Sequence, residues 1–418
     1  MTQRLYYQDS FLDTFDAKVC ELQPATAKDL RPALILDRTA FYPTSGGQPF
    51  DTGWIIPDAT SPKAELQKLR VTEVAEREDG QIVHYLEPAV AENKLTLQKG
   101  SRVRGLIDPA RRRDHMQQHS GQHILSAAFV RLFNISTVSF HMGDEYCSID
   151  LDAPLLTQEQ VESAERLSNE IIQENRPVEV RYVTQDEAAT LGLRKLPPAE
   201  RDHLRLIDIR DLDLTACGGT HVEATGQVGS VLLRKTEKAR QGWRVVFVCG
   251  QRAVSTARRD FTALSDAAVQ FSSHVWELPQ QVRKSLDEIK SLRKQLEQSR
   301  EELAAAFAES ILATESESNG RKLIARNFPD RDLAFVKLLA QKITRQSSNA
   351  VALLATTLEQ PALVFAQSPG LPFDMATLMK QTMAKLGGRC GGSKDMAQGG
   401  VPTAEGIKAA LCNVATQI

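Results

Sequence analysis

Two short segments carry residue types able to hold a metal ion: His119-Ser-Gly-Gln-His123 and, far downstream, Cys217-Gly-Gly-Thr-His221. On a helix a spacing of four sets two imidazoles on one face, one turn apart. A Cys-x-x-x-His turn can bring a thiolate and a third imidazole to the same ion. Three nitrogens and one sulfur at tetrahedral angles suit zinc, because soft sulfur disfavours magnesium and calcium. Each pair alone has a bland reading, packing on an amphipathic helix or chance. Together, with Gly218 and Gly219 permitting a tight ligand loop, they predict one zinc per chain held by His119, His123, Cys217 and His221. The competing use of the spacing is the peptidase helix HExxH, whose glutamate is a general base. Ser120 stands in that place, so peptidase chemistry lacks its base. His115, one turn earlier, reads as a satisfied or solvated histidine, or as a group behind the ligands.

The elements that must position these groups follow from periodicity. Ala33–Leu36, Leu69–Val74, Gln81–Leu86 and Ser101–Ile107 are apolar or alternating and are separated by Gly, Pro and Asp, which predicts a small sheet or barrel. At Pro109 the pattern turns helical, and Arg112–Leu132 gathers Met116, His119, His123, Leu125, Ala128 and Leu132 near one side. Thr157 with Gln160 forms a capping box that opens a second helix, ended by Pro177. Strands are expected at Val178–Val183, Leu204–Ile209, Val228–Leu233 and Trp243–Val248.

From Gln251 to Ala313 the chain is rich in Ala, Lys, Glu, Arg and Leu. Val282, Ile289, Leu296 and Leu303 lie a heptad apart, with Leu292 and Ala306 in companion positions and Ser299 interrupting them. That seam predicts a short helical hairpin or coiled-coil arm, an intramolecular spacer more than a long dimer zipper. After the polar linker Glu315–Arg321, strands are expected at Leu333–Val336, Val351–Ala355 and Ala362–Ala366. The expected fold class is α+β multidomain: a β-barrel-like module over 1–99, a zinc-containing α+β domain over 100–255, a helical arm and linker over 256–318, and a C-terminal α/β domain over 319–418.

Composition sets limits. With 51 basic and 53 acidic residues, net charge −2, a nucleic acid would be gripped by local patches and not by a basic surface overall. Arg111, Arg112 and Arg113 precede the ligand helix; Arg234, Lys235, Lys238, Arg240 and Arg244 follow the second ligand pair, with Lys235 and Arg244 the preferred phosphate contacts. Solvated charge is the competing reading. The six cysteines form no CxxC pair and argue against a secreted disulfide framework. No apolar run nears the roughly 18 to 20 residues of a membrane span, and the opening lacks signal-peptide design, so a cytoplasmic protein with no membrane partner is expected.

The ligand pairs take their place in a longer pattern: Thr39-Ala-Phe-Tyr-Pro-Thr-Ser-Gly-Gly-Gln48 with Asp51 and Gly53, then Arg112–His123, then Cys217–Gly226, and Gly387–Gly400 near the end. In this order the chain resembles the editing domain of alanyl-tRNA synthetases and the AlaX-type trans-editing proteins, in their long stand-alone form. The last segment is similar to the glycine-rich signature of the DHHA1 domain. The resemblance implies a zinc-containing editing domain that hydrolyses the ester joining serine or glycine to the 3′ end of tRNA(Ala), with serine the favoured assignment and the relative activity on the two left open. It assigns Thr39 to reading the serine hydroxyl, and Gly46, Gly47 and Gln48 to a loop that approaches the substrate. Arg112 and Arg113 would meet the acceptor end, while Arg389 and Lys394 would touch the tRNA body. The chain opens on the glycine-rich β module, and Ser393-Lys394 after Gly387-x4-Gly392 is in the wrong order for a P-loop, so neither ATP use nor aminoacylation is expected. Monomer and homodimer both stay open. A tRNA-binding module without turnover, or a zinc amidohydrolase of small aminoacyl compounds, are the competing functions.

Overall fold

The computed structural model describes residues 1–25, 29–58, 68–88, 97–191, 193 and 203–418. The chain divides into two compact units, Met1–Leu264 and Ser265–Ile418.

The first unit opens with β1 (Gln3–Arg4), β2 (Thr14–Gln23), β3 (Ala33–Leu36), β4 (Arg38–Thr39), β5 (Gly53–Pro57), β6 (Leu69–Glu76), β7 (Ile82–Leu86) and β8 (Arg102–Ile107). Among the described residues six strands close a barrel in the order β2-β3-β7-β6-β5-β8, and β8 returns antiparallel to β2. Closure is what the alternation asks for: Phe15, Val19, Leu34, Leu36, Ile55, Val71, Ile82 and Val103 all turn into one core. The loop carrying Phe41 and Tyr42 also tucks inward, with Phe41 wholly buried.

Helix α1 (Pro109–Phe133) springs directly from β8. Asp108 caps it by accepting from the N–H groups of Ala110 and Arg111, Pro109 fills the first turn, and Asn134 ends it in the left-handed conformation. The sequence suggested one buried face. Instead the middle of the helix is enclosed on nearly all sides, including Gln118, Ser120, Gly121 and Gln122, while Leu132 is exposed. Gly121 is needed here because a side chain would drive into Cys249 Sγ.

After β9 (Thr137–Met142) and β10 (Cys147–Leu151), α2 (Gln158–Gln173) begins at Thr157 with the capping box complete. The chain continues through β11 (Val178–Thr184), α3 (Gln185–Thr190), β12 (His203–Ile209), β13 (Asp213–Ala216), β14 (Val231–Ala239) and β15 (Gly242–Cys249). Two sheets result, β14-β15-β10-β9 and β11-β12-β13. Val228, expected to start a strand, lies in the short 3-10 turn Thr225–Val228, and the strand begins at Val231. Helix α4 (Gly250–Gln270) starts against this unit through the ion pairs Arg252–Asp114 and Arg234–Asp260.

The second unit contains α5 (Leu278–Thr314), β16 (Lys322–Phe328), α6 (Leu333–Gln346), β17 (Ala350–Thr356), β18 (Ala362–Gln367), α7 (Met375–Leu386), β19 (Arg389–Gly392), β20 (Met396–Gly400) and α8 (Ile407–Ala415). The sheet runs β16-β17-β18-β20-β19. Strands β17 and β18 are buried on both faces, which explains their unbroken apolar runs. Leu333–Val336 is not the expected strand but the start of α6: Asp332 caps it by accepting from Phe335 N–H, and Phe335, Val336, Leu339, Ala340 and Ile343 follow at helical spacing. The heptad seam is not buried as a hairpin interior. Val282, Ile289, Leu292, Leu296 and Leu303 stand exposed, and α5 buries only Ala304, Ala308 and Ile311, which share a core with α6. No helix among the described residues is long and apolar enough to cross a membrane.

One ion pair joins barrel to helix. Arg112 gives Asp51 a salt bridge of 2.5 Å, donates to Ser10 O at 2.7 Å and to Ala40 O, and both members are buried. Asp51 also accepts from Tyr42 N–H at 2.6 Å. Arg112 therefore spends its charge inside the protein, and the expectation that it meets tRNA phosphate is corrected. Asp51→Asn should lower the unfolding free energy of the first unit by about 3–5 kcal/mol, since it leaves a buried guanidinium uncompensated. Urea unfolding followed by far-UV circular dichroism measures this.

Candidate metal centre

The helix α1 and the turn after β13 bring the four expected donors together. One ligand atom each from His119, His123, Cys217 and His221 lies within 4.8 Å of all the others. Cys217 Sγ is 3.4 Å from His119 Nε2 and 3.3 Å from His221 Nε2.

Each imidazole is held from behind through Nδ1. His119 Nδ1 meets Gln48 Oε1 at 2.8 Å, His123 Nδ1 meets Asp213 Oδ2 at 3.2 Å, and His221 Nδ1 meets Ser120 Oγ at 3.2 Å. With Nδ1 carrying the proton, Nε2 is left as a lone-pair donor aimed at the others. The holding groups are themselves fixed. Gln48 accepts from Thr220 N–H and donates to Thr220 Oγ1; Thr215 Oγ1 donates to Asp213; Ser120 Oγ accepts from Val222 N–H. The donor set and its bracing fit a tetrahedral ion.

Electrostatics agree with a thiolate here. Burial pushes the Cys217 thiol up, but the imidazoles of His119 and His221 outweigh it and hold the thiol well below its usual value. Burial pushes His221 down to about 3, which favours the neutral ligand form. For His123 burial also lowers, yet Asp213 and Cys217 prevail and bring it to about 9, so this ring has to give up a proton from Nε2 before it can ligate.

Glycine at 219 is a steric requirement, since a Cβ there would overlap the His119 ring. Arg205 on β12 fixes the same turn, donating to Cys217 O at 2.7 Å and Gly219 O at 3.0 Å. Gln48 is wholly buried, with its amide oxygen toward His119 and its amide nitrogen toward Thr220. Gly46 and Gly47 adopt φ of 57° and 85° on the exposed tip of the same loop, and Gly47 O accepts from Met142 N–H. Thr39 is buried beside His84. Lys235 pairs with Glu237 and Arg244 with Asp150, Lys235 staying exposed and Arg244 partly so. Arg113, Arg389 and Lys394 are exposed and form no ion pair among the described residues.

Asp213, Thr220 and Arg205 were not singled out from the sequence. Asp213, four residues before Cys217 at the head of β13, had a readable signal: a carboxylate on the strand that delivers the ligand turn. Ser120 was noticed only as a missing glutamate, whereas its hydroxyl orients His221.

Residues 3–111 match the family described as tRNA synthetases class II (A), and residues 204–246 match the threonyl and alanyl tRNA synthetase second additional domain. The alanyl-tRNA editing protein AlaX-L of Pyrococcus horikoshii is 31% identical over 407 residues, covering 96% of this chain and 95% of that protein. Alanine–tRNA ligases of Pyrococcus furiosus and Natronomonas pharaonis are 29% and 30% identical over 98% of this chain, which spans 43% of each ligase. Barrel, braced metal centre and these matches define a tRNA-editing protein of the alanyl system, in the deacylase class of hydrolases. Within that class the chain belongs to the AlaX family of alanyl-tRNA editing proteins.

Gln48→Ala should lower metal affinity about 10–100-fold by releasing His119. Competition with a chromophoric chelator reads this directly, and unchanged affinity would remove Gln48 from the bracing role.

Proposed function

We propose that the chain hydrolyses mischarged Ser-tRNA(Ala), with Gly-tRNA(Ala) as a second substrate, and has no aminoacylation activity. The observation that carries this reading is the centre in which three imidazoles and a thiolate converge, each imidazole braced from behind, in a member of an editing family. The need is physical. A pocket sized for alanine rejects smaller glycine and near-isosteric serine poorly, so a second, hydrolytic sieve is useful.

In the reaction water adds to the ester carbonyl carbon, the bond to the terminal ribose oxygen breaks, and serine and a free tRNA hydroxyl leave. His119, His123, Cys217 and His221 would hold one zinc ion, which with four protein donors organises the pocket and orients substrate or water. Gly46 and Gly47 present N–H groups that make no hydrogen bond to a described residue, and they are assigned to face the substrate. Thr39 is assigned to the serine hydroxyl. Arg113, Lys235 and Arg244 are the contacts for the acceptor end, without Arg112. The second unit, read as a DHHA1-like domain, offers Arg389 and Lys394 to the tRNA body. The boundaries at residues 99, 255 and 318 are kept as a functional division of the chain.

The test is release of serine from Ser-tRNA(Ala), beside Ala-tRNA(Ala) and free seryl esters. Deacylation of the seryl-tRNA with alanine spared is expected; binding without turnover, or equal action on the free ester, would select a competing function. A chain ended after Leu264 keeps Thr39, the loop and all four ligands, together with the part of α4 that the Arg252 and Arg234 ion pairs tie down. It should bind whole tRNA(Ala) more weakly while its single-turnover rate at saturation changes less. Equal affinity would mean that residues 265–418 serve another partner.

A further inference from the structure

The barrel interior holds a polar group that the metal centre does not use. His84, on β7, is fully buried among apolar neighbours, with the Phe41 ring edge-on at 5.5 Å between centroids. Its Nδ1 lies 3.1 Å from Leu34 O and its Nε2 lies 2.8 Å from Thr39 Oγ1.

Chemistry fixes the direction of every bond in this chain. A carbonyl oxygen only accepts, so Nδ1 carries a proton and donates to Leu34 O. Burial pushes the imidazole down to about 4, so the ring is neutral near pH 7 and has no second proton. Nε2 is therefore an acceptor, and the hydroxyl of Thr39 must donate to it. The same oxygen accepts from Phe41 N–H at 3.1 Å. A hydroxyl has one proton and two lone pairs. With the proton spent on His84 and one lone pair on Phe41, a single lone pair is left.

We propose that His84 is a positioning residue for substrate selection: by taking the proton of Thr39 it makes Thr39 an acceptor toward the substrate, so that an amino acid whose side chain donates a hydroxyl proton is preferred. This rests on Thr39 being the residue that meets the serine hydroxyl. Serine supplies the donor; alanine and glycine do not. A threonine free to rotate would bond a donor or an acceptor equally well, and His84 removes that freedom before the substrate arrives. The backbone keeps the arrangement in register, because His84 pairs across the sheet with Leu34 on one side and Val74 on the other. A structural hydrogen bond alone would also satisfy two buried groups, but its loss would affect all substrates alike.

That difference is the experiment. Full-length, metal-loaded protein is compared in single-turnover deacylation of Ser-tRNA(Ala) and Ala-tRNA(Ala) for wild type, His84→Leu, His84→Gln, Thr39→Val and the double variant His84→Leu/Thr39→Val. His84→Leu should lower the serine-to-alanine ratio of kcat/KM about tenfold or more, the scale of one buried hydrogen bond. His84→Gln, whose amide can donate to Leu34 O and accept from Thr39, should restore most of the ratio. The double variant should fall no further than Thr39→Val alone. If His84→Leu slows both substrates by the same factor, or adds its full effect to that of Thr39→Val, the positioning role is overturned. An unchanged ratio in Thr39→Val overturns the reading of Thr39 itself, whatever His84 does. Should His84→Leu not fold, His84→Met removes the same acceptor and carries the same expectation.

Discussion

The site depends first on the buried pair of Arg112 and Asp51. Asp51 closes the segment that runs from Thr39 past Gln48, and Arg112 stands in the second turn of the helix that carries His119 and His123. A loop with two glycines at positive φ has little stiffness of its own. Clamped at Ala40 O and Asp51, it is held against α1 so that Gln48 reaches His119 at hydrogen-bond distance. Because both charges are out of water, the clamp is worth more as a fixed register than as net stability. Its loss would be felt at the candidate metal donors even though neither residue is among them.

Much of the fold was legible because it is written in local period. The capping box at Thr157, the alternating barrel strands and the double-sided strands β17 and β18 each have one physical cause, and the structure shows that cause operating. What failed had a competing cause elsewhere in the chain. Leu333–Val336 looks like a short apolar strand until the Asp332 cap is counted, and β16 is hidden by Lys322 and Arg326 within it. The heptad seam of α5 stands exposed among the described residues, so its period forecasts the helix and not what it packs against.

The donors of the metal centre were legible from residue type and spacing, since few side chains bind an ion. The bracing was not. Gln48, Asp213 and Ser120 act on the histidines across gaps of 71, 90 and 101 residues, and nothing in a linear pattern announces such pairs. Arg112 shows the opposite error. An arginine in a basic run reads as a phosphate contact, and only the buried Asp51 opposite reveals that it is structural.

The order of the donors along the chain also gives the site a clock. Cys217 follows His119 by 98 residues, so a ribosome adding roughly 5–20 residues per second delivers the last two donors some five to twenty seconds after the first. During that interval Gln48 and Asp51 have already been made, and the barrel can turn His119 inward ahead of need. Two imidazoles without the thiolate would hold an ion only weakly, so any ion bound that early would exchange readily. The four-donor set is complete only when the turn from Cys217 to His221 closes, late in synthesis and after the helix that it meets.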